Sequence, residues 1–107
     1  MRRVAITGMG VVSSIGANVA EVTRALKEAK SGVTFAPEFA EHGFKCQVYG
    51  KPTVSVEEAL DRRTRRFMGE GAAWNYIAMQ EALADARLAP DEISHPKTGI
   101  IMGSGGP

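Results

Sequence analysis

The stretch VAITGMGVVSSIG at residues 4–16 limits the fold more than any other part of this 107-residue chain. A short β-branched run leads into a glycine bend, and a helix signal follows. Residues 3–12 carry Val4, Ala5, Ile6, Val11 and Val12, a length and composition that predict a strand buried on both faces. Asn18 is placed to cap the next helix, with Glu21 at its third position as a variant of the capping box. Val22, Ala25, Leu26 and Ala29 mark one face of that helix, and Gly32 is the expected stop. Strand, glycine bend and helix together also spell the start of a dinucleotide site. That fingerprint needs a third glycine, however, where this chain has Ser13. The acid about 20 residues further on, Glu28, falls inside the helix rather than at the end of a second strand. Gly8 and Gly10 are better read as residues that let a buried run turn tightly.

Between residues 33 and 54 the pattern breaks into an irregular hairpin or edge segment. FKCQVYG alternates, with Phe44, Cys46 and Val48 on the face expected to be buried, and Pro37, Gly43, Gly50 and Pro52 mark turns. Ser55 and Glu58 sign another helix start. The long stretch EGAAWNYIAMQEALADARL then predicts a helix with a wide apolar surface, through Ala72, Tyr76, Met79, Leu83 and Ala86, packed deep in a domain. LAPDEIS closes it with a proline turn, and TGIIMGS predicts a second buried strand. The order strand, helix, β excursion, helix, strand opens an α/β fold with its sheet covered on both faces. A chain that stops on the loop after such a strand reads as part of a longer one.

A net charge of +1 gives no overall field toward nucleic acid or membrane. One cysteine excludes an internal disulfide and a multi-thiolate metal site. No run has the pattern of a signal peptide or the length of a membrane span, so the cytoplasm is the expected compartment. Cys46 is expected to be a buried small hydrophobe, and His42 and His95 to be exposed loop residues. Four arginines, Arg62, Arg63, Arg65 and Arg66, crowd one short segment. On residue type alone they form either a solvated helix end or a docking patch for an acidic partner. Nucleic acid is disfavoured, because no aromatic platform is interleaved with them.

RRVAITGMGVVSSIG, SGVTF, DRRTRRFM and GIIMGSGG, in this order and spacing, resemble the N-terminal part of the β-ketoacyl-[acyl-carrier-protein] synthases, and among them the synthase I type. The resemblance implies a thiolase-like α-β-α-β-α layered fold, with residues 1–107 as the N-terminal part of its first half, and a homodimer when full length. It implies decarboxylative Claisen condensation with malonyl-acyl carrier protein in fatty-acid biosynthesis, without nucleotide, metal or other cofactor. The family's catalytic cysteine and two histidines lie beyond residue 107, so no residue here inherits a catalytic role. Arg62, Arg63 and Arg66 match basic positions that meet acyl carrier protein, whereas Arg65 falls where relatives carry an apolar residue. Gly103, Ser104, Gly105 and Gly106 match the loop lining the acyl pocket near the dimer contact. A non-catalytic carrier-protein-binding or chain-length-factor-like homologue is the alternative, and a nucleotide-binding oxidoreductase domain is a third reading.

Overall fold

The computed structural model describes residues 2–105. Its elements are α1 (Val19–Lys27), β1 (Thr34–Phe35), α2 (Pro37–Glu41), β2 (Val48–Tyr49), α3 (Val56–Ala59), α4 (Arg62–Arg65), α5 (Glu70–Ala86) and α6 (Pro90–Ile93).

Helix α1 starts where the sequence places it. Asn18 Oδ1 accepts the Glu21 N–H at 2.9 Å, and the Glu21 carboxylate accepts the Ala17 N–H at 2.8 Å. Two N–H groups at the helix start are satisfied in this way. The helix ends before Gly32, because Ala29 takes the left-handed conformation (φ 51°) that glycine usually supplies. Lys30 N–H then closes back on the Ala25 carbonyl at 2.8 Å.

The excursion is a hairpin. β1 and β2 pair antiparallel, Thr34 opposite Tyr49 and Phe35 opposite Val48, with α2 in the connection. Ala36 is fully buried at the ribbon's end and donates its N–H to the Gln47 carbonyl at 2.8 Å. The buried face is the reverse of the expected one. Phe44, Cys46 and Val48 are exposed, and Gln47 and Tyr49 are half-buried. The Cys46 thiol donates to the Val48 carbonyl of its own segment. The cause is local: the Tyr49 ring packs on Phe39, 5.9 Å between centroids, which fixes the ribbon's covered side.

Helix α5 runs for 17 residues as its sequence predicts and ends on left-handed Arg87. It is half-buried rather than packed deep. Ala73 is its one buried residue among those described; Tyr76, Ile77, Met79 and Leu83 are partly covered, and Ala72 is exposed. The proline turn after it holds a helical turn, α6, whose start is closed by the Glu92 carboxylate accepting the Ala89 N–H.

Neither expected buried strand forms a ladder among the described residues. Val4 and Ile6 are 94% and 86% exposed, and Ile100 and Ile101 are exposed as well. A strand needs a neighbour, and these two runs pair neither with each other nor with the ribbon. The first run lies against α5 instead. Met9 N–H donates to the Asp85 carboxylate at 3.0 Å, and Val11 N–H to the Glu81 carboxylate at 3.0 Å. Carboxylates four residues apart on a helix rise about 6 Å. That nearly matches the two-residue step of an extended chain, about 6.6 Å, so alternate N–H groups find acceptors. The other Glu81 oxygen accepts the Val19 N–H at 2.9 Å, joining α1 to the same point.

This contact explains the glycine bend. A Cβ on Gly10 would collide with the Ala78 carbonyl oxygen and lie 2.7 Å from Ala82 N. One on Gly8 would lie 2.6 Å from Ala86 N. Ala78, Ala82 and Ala86 form a stripe four residues apart, so small residues face the glycines from both sides. The architecture observed is helices with one small antiparallel ribbon, not a covered parallel sheet.

Candidate functional site

Helix α4 presents the arginines, and the residue before them starts it. Asp61 accepts the N–H groups of Arg63 and Thr64 at 2.9 and 3.0 Å, and its second oxygen accepts the Thr64 hydroxyl. The Thr64 hydroxyl, and then the backbone N–H groups, hold the Asp61 carboxyl below its ordinary value of 3.8. Its stabilisation of α4 is therefore complete above pH 3.8 and is lost as the pH falls through the lower, folded value. In the complete protein, the protection of the Thr64 amide, its exchange relative to an unstructured amide at the same pH, is expected to be kept at neutral pH and to fall on acidification through that range. In Asp61→Ala the amide is expected to be unprotected at every pH. An acid-insensitive amide in the native protein would contradict the cap.

The four arginines divide into two groups. Arg65 turns back and pairs with Glu57 of α3 at 2.9 Å, which ties two short helices together. Its side chain is only 34% exposed. This is the one ion pair among the described residues, so Arg62, Arg63 and Arg66 have no carboxylate within 4.0 Å. All three are exposed, and they alone line a shared hollow of about 520 Å³. The Arg66 guanidinium sits 5.1 Å from the centre of the Phe67 ring, and Phe67 is 89% exposed. The sequence separated Arg65 from the other three by resemblance alone; its tie to Glu57 is a geometric fact that no motif carried. The Asp61 cap had a signal in the order Asp-Arg-Arg-Thr, an acidic N-cap residue before a short helix.

Gly103 and Ser104 lie elsewhere. They and Met102 face the first turn of α5 across a cleft of about 660 Å³ that also takes in Gly69 and Trp74. Gly105 is exposed, and Gly106 lies outside the described residues. The structure thus brings the three arginines together and places the glycine loop at a separate site. His42 Nδ1 lies 2.7 Å from the Glu38 carbonyl oxygen, and His95 Nδ1 accepts the Lys97 N–H at 3.1 Å, both in exposed turns. Among the described residues no three His, Cys, Asp or Glu side chains cluster as metal ligands, and no helix is long and apolar enough to cross a membrane.

Over residues 1–106 the chain matches the family model for the β-ketoacyl synthase N-terminal domain. The chain belongs to the β-ketoacyl synthase family. It is 45% identical over 105 residues to 3-oxoacyl-[acyl-carrier-protein] synthase 1 of Haemophilus influenzae, covering 98% of this chain and 26% of that protein. The synthase 1 of Escherichia coli K12 is 40% identical over 107 residues, covering 99% of this chain and again 26% of the relative. A synthase 2, from Coxiella burnetii, is 31% identical over 109 residues, covering 97% of this chain and 25% of that protein. The chain therefore spans about a quarter of the length of the curated relatives it matches. Its glycine bend, packed on α5, is a structural element of a β-ketoacyl synthase domain.

Proposed function

We propose that this chain is the N-terminal part of a 3-oxoacyl-[acyl-carrier-protein] synthase that extends acyl chains by decarboxylative Claisen condensation. The observation that carries this reading is identity of 40–45% to synthases 1 across nearly the whole chain. In the reaction a cysteine thiolate, outside residues 1–107, takes the acyl group from its carrier-protein thioester. Malonyl-carrier protein then loses CO2. The carbanion left behind attacks the enzyme-bound acyl carbon, forming the new C–C bond and releasing the thiolate. No residue of this chain takes part in those bond changes. Exposed Cys46 is not the nucleophile.

The chain's own contribution is recognition. Arg62, Arg63 and Arg66 dock the acidic carrier protein, and the loop at Gly103, Ser104, Gly105 and Gly106 lines the acyl pocket. Three arginines without an ion pair in one hollow support docking, since no carboxylate among the described residues competes for them. Such exposed charges, about 0.2–1 kcal/mol each in a pair, act more on association rate than on affinity. That suits a partner that must deliver its arm and leave. In the complete, cytoplasmic, dimeric protein the apolar runs 3–12 and 98–104 are strands of the thiolase-like layered sheet. Their bare faces are covered by the remaining length and by the second copy.

The test is to supply the complete protein with acyl- and malonyl-carrier protein and follow the products by mass spectrometry. One CO2 released per 3-oxoacyl-carrier protein formed is the expected result. Carrier-protein binding without turnover would identify a non-catalytic homologue and overturn the enzymatic reading.

A further inference from the structure

A second cleft, of about 560 Å³, lies between α1 and the β1–β2 ribbon. It shares no lining residue with the arginine hollow or with the cleft beside Gly103. Ten of its fifteen lining residues are polar or charged, and Ile15, Ala25 and Pro52 are its main apolar side chains. Three cations border it, Arg24, Lys30 and Lys51, and none has an ion-pair or hydrogen-bond partner for its side chain among the described residues.

In the lining of the cleft, Ser14 is wedged between two glycines. A Cβ on Gly32 would lie 2.6 Å from Ser14 Oγ, and one on Gly50 would lie 3.2 Å from it. Those glycines leave room for the hydroxyl, yet Oγ makes no hydrogen bond among the described residues. The hydroxyls of Thr34, Tyr49 and Thr53 also border the cleft without partners among the described residues. Two carboxylates complete the lining. Glu21 gives one oxygen to the Ala17 N–H and keeps its charge, and Glu28 has no partner among the described residues. Three cations and four hydroxyls without partners, against two carboxylates of which one already holds a backbone N–H, describe a receptor for an anion that also carries donor groups. The cations and hydroxyls suit phosphate oxygens, and Glu28 suits a hydroxyl of the same molecule.

We propose that this cleft binds a small organic phosphate bearing hydroxyl groups. Glycerol 3-phosphate, inorganic phosphate and glycerol, each titrated calorimetrically into the complete protein, separate the parts of that ligand. Glycerol 3-phosphate is expected to bind with a millimolar dissociation constant or tighter, inorganic phosphate more weakly, and glycerol not at all. Arg24→Gln with Lys51→Gln, both at exposed positions, is expected to weaken glycerol 3-phosphate about tenfold or more. That variant should keep its carrier-protein kinetics, while Arg62→Glu with Arg66→Glu should leave glycerol 3-phosphate binding unchanged. Three outcomes would overturn the proposal: no heat from glycerol 3-phosphate, undiminished binding in the Arg24/Lys51 variant, or loss of binding in the Arg62/Arg66 variant. Equal affinity for inorganic phosphate would overturn its organic part. The carrier-protein assay stands apart from all of these, so either reading can fail without the other.

Discussion

Gly10→Ala is expected to destabilise the complete protein by about 3 kcal/mol or more, or to leave it insoluble, the upper end of what overpacking costs. The added carbon would meet the Ala78 carbonyl oxygen and Ala82 N of α5, backbone atoms that cannot rotate away. Relief would require the whole helix to withdraw. Doing so would stretch the bonds from Val11 and Val19 to Glu81. Gly71→Ala, in the first turn of α5 and outside the runs 3–12 and 98–104, makes a fair control, because a Cβ there meets nothing within 4 Å. It should not destabilise the protein, since alanine is favoured over glycine in a helix by up to about 1 kcal/mol. Denaturant midpoints of the two variants and the parent decide the matter. If Gly10→Ala unfolds at the parent's midpoint, the close approach to α5 is not a property of the complete protein.

The second large effect falls on kinetics. Arg62→Glu with Arg66→Glu, in the complete protein, is expected to raise the KM for carrier protein about 10- to 100-fold at low salt. Neither side chain makes an ion pair among the described residues, so kcat should hold within about twofold. Added salt should shrink the difference, because exposed charges are screened over roughly 10 Å at 0.1 M ionic strength. Arg65→Ala should behave differently. It removes the tie from α4 to Glu57, and so should loosen the short helices more than it alters the salt dependence of KM. Unchanged carrier-protein kinetics in the double reversal would remove the docking role.

Local chemistry was legible from the sequence where a residue acts on its own neighbours. Asn18 and Ser55 accept the N–H groups expected of them, and α5 occupies the stretch its apolar surface marks. What depends on a distant partner was not legible. The run 3–12 has strand composition, but a ladder is made by two segments, and alternation in FKCQVYG cannot say which face finds cover. Tyr49 meeting Phe39 decided that, through a short helix the turn signals did not reveal. The end of α1 was misplaced for another reason: Ala29 accepts a backbone conformation costly for alanine, so the glycine expected to stop the helix comes too late. At the arginines, composition left several readings open. The motif resemblance singled out three residues, and the fold adds that the fourth has an internal partner.

Glu81 holds Val11 on one side and Val19 on the other, so a single side chain bridges the mouth of the loop between them. The span of that loop is therefore fixed by one carboxylate, whatever its contour length. Extra residues inserted among positions 12–18 would have to billow outward into solvent, while the entry to α1 stays moored to the middle of α5.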